Sequence, residues 1–211
     1  MKKKNKEICI LGLGYVGLTL SATLADLGYK ITGVEIRKEV LNNLRNKKSH
    51  FYEPHLNKIL NKIISNKSFK FYSKIPKDWV GNTYIITVGT PLDKRGRSRI
   101  DLIKNVSNEV KNSIKENGLV ILRSTVKVGT TRNIVKKIIE KKINKFDIAF
   151  CPERTQEGKA LTEVKKIPQI IGGINVKSAN RAKNIFNKVT KNNLIVSSLE
   201  TAELIKLVDN F

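Results

Sequence analysis

The sequence predicts an α/β fold: a doubly wound, mostly parallel sheet with helices on both faces. Two observations carry that expectation. Short apolar runs alternate with longer runs whose apolar residues recur at helical spacing, across all 211 residues, and a parallel sheet needs such a crossover between strands. The first short run, Glu7–Leu11, leads straight into Gly12-x-Gly14-x-x-Gly17, and Leu18, Ala22 and Ala25 then mark a helix reaching Leu27.

That strand, glycine turn and helix predict a Rossmann-type dinucleotide site. Gly12 lets the chain turn sharply off the strand, Gly14 removes a side chain so that backbone N–H groups can approach a pyrophosphate, and Gly17 lets the helix pack closely. Tyr15 and Val16, lying between them, complete the expected cradle. The next strand, Tyr29 to Glu35, ends on a carboxylate about 20 residues beyond the turn, where an acid accepts hydrogen bonds from ribose hydroxyls and repels a 2′-phosphate. NAD is therefore expected over NADP. Arg37 blurs this, because a guanidinium there could contact adenine or a 2′-phosphate.

Arg37 to Arg45 reads as a helix, and Asn46 to Pro54 as a loop over a ligand cleft. His50, Glu53 and His55 match no established zinc spacing, and no metal is expected. Leu56 to Ile64 reads as a helix with the apolar stripe Leu56, Ile59, Leu60, Ile63, and Phe69 to Phe71 as a short strand. Thr83 to Val88 is a strand running into Gly89-Thr90-Pro91. Ligands sit at the carboxyl ends of strands in such sheets, so Thr90 is placed to touch cofactor or substrate. Asp101 reads as the cap of a helix to about Glu116. Leu119 to Arg123 delivers Ser124 and Thr125 to the same edge, and Gly129-Thr130-Thr131 turns the chain into another helix with Thr130 as an ordinary cap. Strands Asp147 to Phe150 and Gln169 to Gly173, helix Lys177 to Val189, strand Leu194 to Ser198 and a helix from Leu199 complete the alternation. Residues 1–198 are expected to form one domain, and 199–211 the start of a connection.

Lys and Arg number 41 against 18 Asp and Glu, a formal charge of +23. The cations recur on the outer faces of helices, as in Ile134 to Lys142, rather than in one cluster. They read as solvated faces, and nucleic acid is not expected as a partner. No apolar run has transmembrane length, and the lysine-rich lead-in before Glu7 is no signal peptide. A cytoplasmic protein without membrane attachment is expected. Cys9 and Cys151, the two cysteines, have neither disulfide-like nor metal-like spacing.

The loop Cys151-Pro152-Glu153-Arg154-Thr155-Gln156-Glu157-Gly158-Lys159-Ala160-Leu161 makes the cofactor argument specific. With Gly12-Leu13-Gly14-Tyr15-Val16-Gly17, Gly89-Thr90-Pro91, Arg123-Ser124-Thr125-Val126, Gly129-Thr130-Thr131 and Ala202-Glu203-Leu204-Ile205-Lys206 followed by Asn210, it resembles the UDP-glucose/GDP-mannose dehydrogenase family. The resemblance implies half of an enzyme built of two Rossmann-type domains joined by a long helix, which oxidises a primary alcohol to a carboxylate with two NAD. It implies that Glu153 positions substrate and assists hydrolysis, that Glu157 lies beside the nicotinamide, and that Thr125 stands at the reacting centre in contact with cofactor. Lys206 and Asn210, on one helix face by their spacing, match the pair that steadies alkoxide and water. A surface ion pair between Glu203 and Lys206 is the plainer reading of that stretch.

The family's nucleophilic cysteine belongs to a Gly-Gly-Ser-Cys-type motif that this sequence lacks, and Cys151 matches a variable site. The resemblance therefore implies the first half of the enzyme, ending inside the linking helix, inactive alone and a homodimer through that helix when whole. Arg154, where UDP-glucose enzymes tend to carry Phe, resembles the branch acting on UDP-N-acetylhexosamines such as UDP-N-acetylmannosamine. It could instead pair with Glu153 or Glu157. UDP-glucose 6-dehydrogenase, a non-catalytic NAD-binding module and a polyanion-binding protein remain the rivals.

Overall fold

The computed structural model describes residues 7–93, 96 and 98–209. Eight strands, Glu7–Leu11 (β1), Lys30–Val34 (β2), Phe69–Tyr72 (β3), Thr83–Ile86 (β4), Gly118–Leu122 (β5), Phe146–Phe150 (β6), Ile170–Gly173 (β7) and Leu194–Val196 (β8), form one sheet. Its order is β3-β2-β1-β4-β5-β6-β7-β8. The helices are Tyr15–Asp26 (α1), Lys38–Arg45 (α2), Leu56–Ser65 (α3), Ile100–Ser113 (α4), Lys137–Glu140 (α5), Ala160–Glu163 (α6), Val176–Phe186 (α7) and Leu199–Val208 (α8), with a π-wound segment Thr131–Lys136 leading into α5.

Side chains alternate between the faces of a strand, and β1 divides the core in two. Ile8 and Ile10 pack with Leu18, Leu20 and Leu24 of α1, with Leu56, Leu60 and Ile63 of α3, and with Ala182 and Phe186 of α7. Cys9 and Leu11 pack on the other side with Ile103, Val106 and Val110 of α4, Val135 and Ile139 around α5, and Leu199 and Ala202 of α8. All five residues of β5 are buried, as a parallel strand covered on both faces requires.

Chain order reverses between β1 and β4. The chain leaves β1 for β2 and β3, then returns to β4 on β1's other side, which opens a crevice at the carboxyl ends of β1 and β4. Thr87 closes the bottom of it. Its hydroxyl lies 3.0 Å from the Leu11 carbonyl and 2.7 Å from that of Gly12, tying the end of one strand to the turn of the other.

Three details differ from the sequence expectation. The strand at Thr83 ends at Ile86, although the Thr87 N–H still donates to the Leu11 carbonyl at 2.9 Å. Asp101 is not a cap: α4 begins one residue earlier, after Arg99, and Asp101 in its first turn pairs with the Arg99 guanidinium at 2.7 Å. Thr130 does not cap its helix either, since its hydroxyl donates to the Lys127 carbonyl. The one antiparallel step is β6 to β7, with Phe150 opposite Gly172. The connection 151–169 holds only the four-residue α6 in place of a full crossover helix, and β7 runs back beside β6.

Candidate functional site

The glycine turn sits at the reversal point, and each glycine is held to a different geometry. Gly12 has φ +94°, and a Cβ there would stand 2.9 Å from the Val88 backbone nitrogen. A Cβ on Gly17 would stand 1.8 Å from the Gly12 carbonyl oxygen. At Gly14 the space is open: the nearest atom to a built Cβ is a guanidinium nitrogen of Arg37 at 3.9 Å. Folding thus requires Gly12 and Gly17, whereas the free volume above Gly14 is what a pyrophosphate would use.

A cleft of about 540 Å³ opens from this turn, lined by Gly12, Gly14, Glu35, Arg37, Val88 and Asn105 among others. Its size and its open backbone suit a dinucleotide. Glu35, 5% exposed, accepts from the Leu13 N–H at 3.1 Å, the Arg37 N–H at 3.0 Å and the Arg37 guanidinium at 2.9 and 3.2 Å. Burial pushes its carboxyl up, but the Arg37 guanidinium and the two N–H groups outweigh that and hold it below the usual range.

The ends of β4 and β5 are stitched together beside the turn. Ser124 donates to the Val88 carbonyl at 2.6 Å, and Thr90 donates to the Thr125 carbonyl at 2.6 Å. Thr90 is thus a strut for the Thr125 backbone. Thr125 itself is half-buried at the same edge.

Beneath it lies Arg123, a fully buried guanidinium. It donates to Glu153 at 2.8 and 3.2 Å and to the Cys151 carbonyl at 3.0 Å, and lies 5.1 Å from the centre of the Phe186 ring. The N–H groups of Arg154 and Thr155 supply the other Glu153 oxygen at 2.9 and 3.1 Å. Burial favours the neutral acid, but the charge and hydrogen bonds of Arg123 with these two N–H groups prevail, so Glu153 stays a carboxylate. Cys151 is wholly buried, and burial pushes its thiol up to about 12 despite Arg123 nearby. It cannot supply a thiolate at neutral pH.

The last turn of α8 carries Lys206 and ends at Asp209. Lys206 is half-buried; burial lowers its ammonium pKa, against the opposing influence of Asp209 and Glu153. Arg154 pairs with neither Glu153 nor Glu157 through its side chain. Its guanidinium binds the Asp209 carboxylate at 2.5 Å and the Pro168 carbonyl at 3.3 Å, fastening the loop to the end of α8. Asn210 lies outside the described residues. Nor does Glu203 serve as a surface group: fully buried, its carboxylate accepts from the N–H of Gly129 at 2.5 Å and from the N–H and hydroxyl of Thr131 at 2.8 and 2.5 Å. It caps the π-wound helix, the task the sequence suggests for Thr130.

Tyr15 joins the turn to two loops. Its hydroxyl lies 2.5 Å from the Glu53 carboxylate and 3.0 Å from the Gln156 carbonyl, and accepts from the Gly158 N–H at 2.9 Å. Glu53 also takes the Leu161 N–H at 3.1 Å, so it serves as a loop tie. Burial, and then the bond to Glu53, push the phenol pKa up. Glu157 is exposed and lies between Gln156 and Gly158, the two residues whose backbones bond the Tyr15 hydroxyl. Val16 lies half-buried in the first turn of α1.

Residues 6–190 match the UDP-glucose/GDP-mannose dehydrogenase family, NAD binding domain. The chain belongs to that family. It is 35% identical over 213 residues to a UDP-N-acetyl-D-mannosamine dehydrogenase of Methanococcus vannielii, an alignment covering 99% of this chain and 48% of the relative. A UDP-N-acetyl-D-mannosamine dehydrogenase of Campylobacter jejuni is 31% identical, with 100% and 54% covered. Among solved structures, the UDP-N-acetylmannosamine dehydrogenase of Pyrococcus horikoshii superposes with a TM-score of 0.90 at 29% identity, over 97% of this chain and 50% of that one. The chain spans about half the length of these relatives.

As an NAD-binding domain of this dehydrogenase family, the chain has NAD as its cofactor. Sequence reasoning missed four residues that hold the site together: Glu53, Thr87, Arg123 and Glu203. Arg123 had a visible signal, because an arginine ending an otherwise apolar strand must find a buried partner. For the other three the partners lie far away in sequence, and nothing local announces them.

Proposed function

We propose that this chain is the NAD-binding part of a nucleotide-sugar 6-dehydrogenase. It oxidises the C6 hydroxyl of a UDP-N-acetylhexosamine, UDP-N-acetyl-D-mannosamine first among them, to the uronate with two NAD, in the cytoplasm, for cell-surface polysaccharide synthesis. The observation that supports the reading is the buried pair of Arg123, two residues before Thr125, with Glu153 at 2.8 Å, whose charge acts on Lys206, in a member of a family with similar relatives named for that substrate. Arg154 adds little to the choice of sugar, because its guanidinium is engaged by Asp209.

NAD supplies the hydride acceptor. Gly12, Gly14, Tyr15, Val16 and Gly17 seat its pyrophosphate, Glu35 its ribose, and Thr90, Thr125 and Glu157 border the nicotinamide side. Glu153 is held ionised by Arg123, so it faces substrate as a carboxylate rather than as a proton donor; the Arg154 and Thr155 N–H groups and two Arg123 donors already fill its acceptor positions, and it takes a substrate hydrogen bond only by exchanging one of them. Lys206, its pKa lowered by burial, stabilises an alkoxide at C6, with Asn210 as the second group that the sequence spacing suggests for the task. We further propose that residues 1–198 form the cofactor domain and that α8 opens a linking helix. Its exposed Leu204 and Val208 are available for a homodimer. The nucleophile and most of the nucleotide-sugar surface belong to a second half, so these 211 residues alone are expected to be inactive.

The test is a screen of the complete gene product against UDP-glucose, UDP-N-acetylglucosamine, UDP-N-acetylmannosamine and GDP-mannose, following NADH. Release of two NADH per N-acetylated sugar supports the reading. A wide margin for UDP-glucose would replace the substrate, and no turnover of any sugar would favour a non-catalytic module.

A further inference from the structure

Glu35 has no lone pair to spare. A carboxylate offers about four acceptor positions, and four donors occupy them: Leu13 N–H and Arg37 Nη2 on Oε2, Arg37 N–H and Arg37 Nε on Oε1. Two of these donors are backbone and stay put. The other two belong to one guanidinium whose side chain is 53% exposed, while Glu35 is 5% exposed. That guanidinium reaches toward the glycine turn, with Nη2 3.9 Å from where a Cβ on Gly14 would stand. Arg37 therefore lies in the cleft, across the position a ribose diol needs. Its other charged neighbour is Glu39, and half-buried His50 also senses its charge.

We propose that Arg37 is the residue that sets cofactor selectivity, by occupying the ribose-binding carboxylate until a dinucleotide displaces it. The inference rests on the NAD-binding reading above. The half-exposed guanidinium can swing away without stranding the buried Glu35, because the ribose hydroxyls that replace it donate to the same oxygens. Once it does, Glu35 is free to accept the 2′- and 3′-hydroxyls of NAD, so Arg37 acts against NAD as a competitor. For NADP the balance is opposite. The displaced guanidinium stands beside the 2′-position and can bind a phosphate through charge-assisted hydrogen bonds, offsetting the repulsion by Glu35. The discrimination that an acid at this position ordinarily gives is thereby blunted.

Calorimetric titration of NADH and NADPH into the 211-residue chain tests this, with Arg37→Ala, Arg37→Lys and Glu35→Gln beside the wild type. Arg37→Ala should bind NADH up to about fivefold tighter and NADPH on the order of tenfold weaker, so that the ratio of affinities rises. Arg37→Lys keeps a cation without the fork that brackets both Glu35 oxygens, and should retain most NADPH affinity. Glu35→Gln should improve NADPH and erase the preference for NADH. If Arg37→Ala leaves the ratio within twofold of wild type, or weakens both cofactors equally, Arg37 is no selector. If the wild type binds neither cofactor, the fault lies in the NAD-binding reading itself.

Discussion

The Glu203 carboxylate on α8 caps the helix that begins at Thr131, 72 residues earlier in the chain, through its backbone N–H and its hydroxyl. This contact ties the helix carrying Lys206 to the turn that follows Thr125, where Gly129 also donates to Glu203. Arg132 and Glu200 repeat the link nearer the surface, at 2.6 Å.

Replacing Glu203 with Ala should therefore destabilise more than an ordinary surface change. It strands the Gly129 and Thr131 N–H groups and the Thr131 hydroxyl, each unsatisfied buried group costing about 1–3 kcal/mol. Glu203→Gln should cost less, since one amide oxygen can still accept. Urea unfolding would measure both; a loss below about 0.5 kcal/mol for Glu203→Ala, the range of an ordinary surface change, would mean that the cap contributes nothing.

The buried Arg123–Glu153 pair predicts a cost and a pH dependence. Arg123→Met leaves an unpaired buried carboxylate, and breaking such a pair by removing one partner costs about 3–5 kcal/mol. Arg123→Met with Glu153→Gln should recover part of the loss. Because Glu153 has a lowered pKa in the folded protein, its stabilising contribution is present above the ordinary carboxylate value of 4.5 and is lost as pH falls through the lowered one. The wild type should lose stability across that acid window, and the double variant should lose less. Equal slopes of stability against pH would contradict the pairing.

Tyr15→Phe removes the hydroxyl shared by Glu53, Gln156 and Gly158 while keeping the ring against Phe51, whose centroid is 4.8 Å away. The loop should loosen locally rather than the domain unfold. Hydrogen exchange should quicken at the Gly158 amide, with the β1 and β5 amides still protected. Unchanged exchange at Gly158 would show that the loop is held by other means.

The sheet was legible in the sequence because its signals are local. Apolar runs such as Leu119 to Leu122 and the stripe Leu56, Leu60, Ile63 can each be read within one element. Gly12, Gly14 and Gly17 were legible for the same reason, as a turn has its whole grammar in six residues. What sequence reasoning did not reach were partnerships. Glu203 had a surface pair with Lys206 as its plainer reading but binds Thr131, Asp101 read as a cap but pairs with Arg99, and Arg154, read as a mark of the N-acetylhexosamine branch with a pair to Glu153 or Glu157 as the alternative, pairs with Asp209. Spacing along a helix limits which residues share a face, yet the loop that packs against that face is fixed only by the topology. The antiparallel entry of β7 was hidden too, because the direction in which a strand runs after the connection 151–169 is not written in its own residues.

The central claim is that the glycine turn seats NAD, and Gly14 separates binding from folding. Its φ of −67° suits any residue, and the space above it is empty to 3.9 Å, so Gly14→Val should fold with a melting temperature near that of the wild type. The measurement is a calorimetric titration of NADH into both proteins. Saturable binding at one site per chain is expected in the wild type, and none in Gly14→Val. Equal affinity in the two proteins would contradict it.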